Sequence, residues 1–173
     1  MKNLLFAFVF LISAQMVFCS DFFETGRQTE IIVNEFTDET SYVAIFCNIA
    51  DLVDMTVGTI IVAKHPDGQI DVYVLEAPDI LYKYLGGYPI ILSSYNTDIT
   101  YRFDQERAIT VSGEISTDGT SMFFPRNAIR LFLNGFRKYN TLRIRVTTAQ
   151  NTNMDITFSN IGAFVENLED LGL

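Results

Sequence analysis

The sequence predicts an α+β domain, mainly antiparallel β-sheet in a sandwich-like arrangement, with two amphipathic helices. Between residues 98 and 158, apolar and polar residues alternate in several short segments, which is typical of strands that bury one face. Two further segments carry apolar residues at positions i, i+3, i+4 and i+7, the spacing of an apolar stripe along a helix. One helix lies between strands and the other at the C-terminus, so we expect both to pack on the sheet.

Residues 1–20 are typical of an export signal. Lys2 precedes an apolar core from Leu4 to about Ile12, and small or polar residues follow. This core is shorter than the roughly 20 apolar residues that a membrane span requires, and acidic residues begin at Asp21. We therefore expect signal cleavage, no integral membrane span in the mature protein, and a periplasmic or secreted location.

The chain has two cysteines, and one of them lies in the signal. A lipid anchor on Cys19 is the alternative to simple cleavage. Phe18 precedes it, however, and a lipoprotein peptidase requires a small residue at that place, so we expect no lipid. Cys47 has no histidine or basic partner near it in sequence and is expected to be a buried thiol.

Acidic residues outnumber basic ones by 21 to 12, which gives a formal net charge of −9. Removal of the signal takes away Lys2 but no acidic residue, so the mature charge becomes −10. Such a chain is not expected to bind nucleic acid or an anionic bilayer through its net charge. Residues 21–173 contain no linker rich in Pro, Gly or Ser, and we expect them to form a single exported domain.

The first clear strand is Ser41–Ile49. Strand alternation places Val43, Ile45, Cys47 and Ile49 on one apolar face. We expect that face to be the buried one.

A β-hairpin is predicted between residues 59 and 75. Its strands, Thr59–His65 and Gln69–Leu75, flank the turn residues Pro66, Asp67 and Gly68. This three-residue loop sets the strand register. The predicted facing pairs are Ile60 with Val74, Val62 with Val72, and Lys64 with Ile70.

His65, the only histidine, ends the first strand of this hairpin beside the turn. We expect a solvated turn residue, because a metal ligand would need further His, Cys or carboxylate partners in a defined arrangement. Asp67 and Asp71 are close in sequence, but they do not match a calcium-binding loop. No metal site is therefore expected.

A second hairpin is predicted from the alternation that starts at Asp98 and ends at Ile115. Apolar residues mark its core face. With a loop at residues 105–107, the predicted facing pairs are Phe103 with Ile109, Tyr101 with Val111, and Asp98 with Glu114. The last of these pairs brings two like charges together, which is unfavourable unless a cation lies between them.

Asn127 is the predicted cap of the first helix, whose stripe consists of Ile129, Phe132, Leu133 and Phe136. Two alternating strands follow it. Their predicted facing pairs are Ile144 with Ile156 and Arg145 with Asp155. The final helix is predicted to be capped by Ser159 or Asn160, with a stripe of Ile161, Phe164, Val165, Leu168 and Leu171.

No nucleophile with its base, no cluster of metal ligands and no phosphate-binding loop is recognisable in the sequence. We therefore expect no catalytic residue, no cofactor and no metal. The candidate function is partner binding, for which the sequence offers two surfaces.

One candidate surface is the polar face of the strand that carries Asp98, Arg102 and Asp104, together with the nearby turn at Asp118. Two acids and one arginine lie close together there, on the side opposite the core. The alternative is that Arg102 forms a local salt bridge that sets strand register. The second candidate surface is the tyrosine-rich connection, with Tyr82, Tyr84 and Tyr88, whose alternative role is packing over a sheet edge.

Several of these segments resemble the type VI secretion-associated VasI/TagO-like family, over residues 30–171. The matching pieces occur in the family's order and spacing. They are DITYRFD from Asp98, STDG from Ser116, LRIRVT from Leu142 and MDITF from Met154, with TDETSYVAIF from Thr37 and TIIVA from Thr59 upstream. The sequence differs from the family in lacking cysteines in the middle strand and close to the C-terminus.

The resemblance implies an exported, β-rich accessory protein near the cell envelope, also met in prophage-like settings, with no catalytic residues to carry over. We therefore expect a non-enzymatic accessory or binding protein whose partner is an envelope or secretion-apparatus protein or a cell-wall component. The alternatives are a small envelope hydrolase or an inhibitor of one, and a phage-borne envelope protein that blocks superinfection. An enzyme should bring an acid and a base together in a cleft, whereas a binding protein should expose an aromatic or apolar patch.

Overall fold

Two antiparallel β-sheets and two helical segments make up the described part of the chain, residues 27–33, 39–47, 58–76, 92–117 and 119–173 of a computed structural model. The predicted signal at residues 1–20, Asp118 and the tyrosines 82, 84 and 88 lie outside these residues. In chain order the elements are β1 (Arg27–Val33), β2 (Thr40–Cys47), β3 (Gly58–Lys64), β4 (Ile70–Glu76), β5 (Asp98–Phe103), β6 (Ile109–Ser112), β7 (Glu114–Ile115), β8 (Ser121–Phe123), α1 (Arg126–Phe136), β9 (Thr141–Thr147), β10 (Asn153–Ser159), a 3₁₀ turn (Ile161–Phe164) and α2 (Val165–Asp170).

The strands form a six-stranded sheet in the order β1-β2-β3-β4-β8-β7 and a four-stranded sheet in the order β10-β9-β5-β6. Their inner faces share one core with α1 and the C-terminal helical segment. The rings of Phe46 and Phe158 join the two sheets, with centroids 5.4 Å apart. The predicted α+β, sandwich-like fold with one helix between strands and one at the C-terminus is confirmed. No helix of the described residues is both long enough and apolar enough to cross a membrane.

The hairpin β3–β4 has the predicted register, with Ile60 facing Val74 and Val62 facing Val72. The turn at Gly68 takes a φ of 82°, which glycine adopts without steric cost. Residue alternation and a short loop are thus sufficient to fix this pairing.

Both faces of β2 are buried, whereas alternation predicted one. Ala44 and Phe46 belong to the core between the sheets. Val43 and Ile45 point to the opposite face, yet both are 0% exposed. Strand alternation placed Val43 and Ile45 on one buried face, but that face is not the one that meets the second sheet; the Cys47 side chain and Ile49, predicted to share it, lie outside the described residues.

The register of β5 and β6 differs by two residues from the predicted one. Tyr101 faces Ile109, and Ile99 faces Val111. The like-charge pair of Asp98 and Glu114 does not form, because Asp98 faces Ser112 and Glu114 belongs to the other sheet. A shift of two residues keeps every side chain on its predicted face, so alternation alone cannot exclude it.

The turn after β5 explains the shift. Asp104 leaves the strand with a φ of 42°, and its carboxylate accepts hydrogen bonds from the N–H of Thr141 at 2.7 Å and that of Asn140 at 3.2 Å. The loop therefore begins at residue 104 and ends at 108. It is two residues longer than predicted.

The apolar stripe of α1 is confirmed, since Phe132 and Phe136 are fully buried. The predicted cap is wrong: the N-cap residue is Pro125, without a side-chain cap, and Asn127 lies within the first turn. The C-terminal stripe is also buried, but its first turn is a 3₁₀ helix from Ile161 to Phe164. Asn160 precedes that turn with a φ of 56° and provides no side-chain cap.

Candidate functional site

The outer face of the four-stranded sheet carries a line of polar and charged side chains. Ile144 and Tyr101 face the core, so their strand neighbours point outward. The register places Arg145 beside Thr100 and Arg143 beside Arg102. Three arginines from two adjacent strands therefore share this face.

Arg145 is paired on this face. Its Nε and Nη2 donate to the carboxylate of Asp155 at 2.5 and 2.6 Å, and both side chains are more than half exposed. The hydrogen bond from Arg145 lowers the pKa of Asp155, and a smaller contribution in the same direction comes from Arg143. This cross-strand pair matches the predicted register and lies in solvent.

Arg102 and Arg143 face each other directly across β5 and β9. Within the described residues, neither of them forms an ion pair. The acids that flank Arg102 along its strand do not neutralise it, because Asp98 faces Ser112 and Asp104 is bonded to the start of β9. Two cations side by side repel each other, so an anionic group between them would be stabilised.

The predicted site residues are therefore only partly brought together. Asp98 and Arg102 lie on the outer face of β5. Asp104 is instead in the turn, where hydrogen bonds from the hydroxyl and N–H of Thr141 and the N–H of Asn140 lower its pKa. Alternation could have assigned Arg143 to the same face, but its proximity to Arg102 depends on strand order, which the sequence did not provide.

A cleft opens at the edge of this sheet, between the loop after β5 and the C-terminal half of α1. Its volume is about 540 Å³. The loop side contributes Glu106, Arg107 and Ala108, α1 contributes Leu131, Asn134 and Gly135, and Lys138 follows the end of α1. Tyr101, Arg102, Phe103, Ile109 and Tyr139 complete the lining.

The floor of the cleft is aromatic. The rings of Phe103 and Tyr139 stack with centroids 5.4 Å apart. Phe103 comes this close to α1 because residue 135 is glycine: a Cβ there would lie 2.1 Å from the Phe103 ring. Sequence reasoning missed this cleft: it placed Arg107 in a loop, as observed, but nothing in the sequence indicated that Lys138 lies beside the same cleft.

His65 forms an acid–base contact at the other sheet. Its Nε2 lies 2.9 Å from Asp71 Oδ2, across the hairpin, and both side chains are largely buried. The hydrogen bond to Asp71 raises the pKa of His65 despite the opposing effect of burial, and the same bond lowers the pKa of Asp71. His65 is therefore held within the fold and is not the solvated turn residue that the sequence predicted. In the described segments, no three His, Cys, Asp or Glu side chains are placed to hold a metal ion.

No family model and no curated protein matches the sequence. The structure is similar to a solved structure, described as the crystal structure of invasion-associated protein B from Bartonella henselae, with a TM-score of 0.51 and 12% sequence identity. The similarity covers 84% of this chain and 90% of that chain. At this identity, the likeness concerns the fold alone.

Proposed function

We propose that this protein is an exported, envelope-associated accessory or binding protein without catalytic activity. Its partner is an envelope or secretion-apparatus protein or a cell-wall component, and the sequence resemblance favours a setting of the type VI secretion kind. The export signal and the net charge of −9 support a role outside the cytoplasm that does not involve nucleic acid.

The observation that carries the proposal is the facing pair of Arg102 and Arg143 on the outer sheet face. A carboxylate of the partner between the two guanidinium groups would relieve their repulsion and accept several hydrogen bonds at once. Arginine is also enriched at protein interfaces relative to the rest of the surface. The outer face of β5 and β9 is therefore the proposed contact surface.

Site-specific photo-crosslinking in the native envelope tests this surface. A benzophenone amino acid at position 100, on the outer face of β5 beside Arg145, keeps both Arg102 and Arg143 and should give a discrete adduct with an envelope component. The same amino acid at position 169 is the matched control, because Glu169 is exposed on α2, outside that sheet face. Equal adducts from both positions, or none from position 100, would contradict the proposal.

A charge reversal separates binding from stability. Arg102→Glu would place opposite charges face to face with Arg143, so the melting temperature should not fall. The crosslink from position 100 should nevertheless disappear, since the partner's acid would meet a carboxylate. If the melting temperature falls and the adduct persists, Arg102 is structural and the binding surface lies elsewhere.

The second candidate is a small envelope hydrolase, and the contact of His65 with Asp71 favours it. An aspartate that orients a histidine is a recurrent part of hydrolytic sites. Loss of a measured cell-wall hydrolytic activity in His65→Gln, at unchanged stability, would support this function. Equal activity in the variant would exclude His65 as its base.

A further inference from the structure

We propose that the cleft between the β5–β6 loop and α1 binds a small amphiphilic anion, an apolar chain or ring that carries one acidic group. This inference goes beyond the proposed function, which concerns the outer face of the sheet. Arg102 borders both regions, but the other cleft residues named below do not belong to that face.

The first argument is charge. Arg102, Arg107 and Lys138 line the cleft, and Glu106 is the single acid in its lining. No described residue forms an ion pair with any of the three cations. In a chain with a net charge of −9, this is a local surplus of positive charge, which favours an anion at the rim.

The second argument is the apolar surface beside these cations. Leu131 is 59% exposed and Ile109 is 37% exposed, although both are large aliphatic residues. The stacked rings of Phe103 and Tyr139 continue this surface inward. An apolar ligand body would remove these side chains from water, while its acidic group remained near the cations.

The third argument is size. A cleft of about 540 Å³ lies within the range of small-molecule sites, roughly 300–1,000 Å³, and is lined in the usual way by apolar side chains with a few polar groups. This volume accommodates a medium-chain carboxylate. A folded protein partner could insert only a side chain there.

Isothermal titration calorimetry with octanoate tests the proposal, with 1-octanol as the neutral probe and acetate as the short anion. Octanoate should bind more tightly than either, and its affinity should fall as sodium chloride is raised. The double variant Arg107→Gln with Lys138→Gln should weaken octanoate by about fivefold to twentyfold, since each exposed ion pair contributes a factor of roughly two to five. Arg130→Gln is the matched control, because Arg130 is an exposed cation of α1 outside the cleft lining.

Leu131→Gln tests the apolar half of the site, and because Leu131 is exposed its replacement leaves the buried core unchanged. This variant should weaken octanoate binding and leave the salt dependence of that binding unchanged. Equal affinity for octanoate and octanol, equal affinity for octanoate and acetate, or wild-type binding by the double variant would each overturn the proposal. The crosslink from position 100 should persist in the double variant, so a negative result for octanoate would not contradict the proposed function.

Discussion

The carboxylate of Asp104 accepts two hydrogen bonds from Thr141, one from the backbone N–H and one from the hydroxyl, each of 2.7 Å. These bonds join the end of β5 to the start of β9. They also turn the chain away from the strand at residue 104, where φ is 42°. The place where β5 ends is therefore held by a contact between residues 37 positions apart.

The first prediction concerns this contact. Asp104→Asn keeps the side-chain shape and tolerates positive φ, but it removes the charge that strengthens the bonds to Thr141. The melting temperature should fall at neutral pH. Asp98→Asn is the control, since Asp98 is an exposed strand residue, and it should change the melting temperature much less.

The stability difference between wild type and Asp104→Asn should also depend on pH, in a direction that the pKa of Asp104 defines. Because the hydrogen bonds from Thr141 and Asn140 hold the folded-state pKa of Asp104 below the ordinary value of 3.8, its contribution to stability is present above pH 3.8 and is lost as pH falls through the lowered pKa. The difference in melting temperature between wild type and Asp104→Asn should therefore become smaller in acid. A difference that grew below pH 3.8 would contradict the assignment.

The second prediction concerns the helix stripe. The Phe132 ring is fully buried and contacts Tyr101 and Phe124, with centroids 5.2 and 4.2 Å apart. Phe132→Ala should lower the free energy of unfolding by ~3–5 kcal/mol. Arg130→Ala, on the exposed side of the same helix, should lower it by less than ~0.5 kcal/mol. Denaturant titration measures the free energy of unfolding of both variants. Equal losses in the two would mean that the helix packs by another face.

The third prediction concerns Gly135. In Gly135→Ala the new Cβ would meet the Phe103 ring at 2.1–2.6 Å, so the ring or the helix must move, at a cost of about 1–3 kcal/mol. Gly162→Ala is the control, because its nearest neighbour would be 3.9 Å away. Adding Phe103→Leu to Gly135→Ala should recover part of the lost stability, because the smaller side chain leaves room for the new Cβ. Strict additivity of the two changes would exclude the clash.

The fourth prediction concerns His65, which gives a single set of histidine resonances because the chain has one histidine. Its pKa, followed by NMR, should lie above 6.5, and Asp71→Asn should bring it down by removing the hydrogen bond and charge of Asp71. Since the folded-state pKa is raised, the stabilisation is fully present below pH 6.5 and is lost as pH rises through the folded value. A pKa unchanged by Asp71→Asn would disprove the pairing.

The fifth prediction concerns export. N-terminal sequencing of protein from the envelope fraction should find a chain that starts near residue 20, as the apolar core of the signal suggests. Mass spectrometry of the same sample should find no diacylglycerol on Cys19. Protein that begins at Met1 and stays in the cytoplasm would refute export.

Local patterns were sufficient for much of the fold. The hairpin register of Ile60 with Val74, the stripe that buries Phe132, and the pairing of Arg145 with Asp155 all follow from alternation, helical spacing and short connections. In each case the interacting residues are neighbours in sequence or are joined by a short turn. Burial of the apolar face then gives one arrangement a lower free energy than its alternatives.

Tertiary structure decided what alternation leaves open. Alternation determines which face of the sheet a residue occupies, but it cannot distinguish two registers that differ by two positions. The β5–β6 register is therefore set by the contact of Asp104 with Thr141. Likewise, Arg102 meets Arg143 only because β9 lies beside β5, and Arg107 shares a cleft with Lys138 only because α1 packs beneath that loop. These neighbours are distant in sequence, and only the packing of the whole domain determines which distant segments meet.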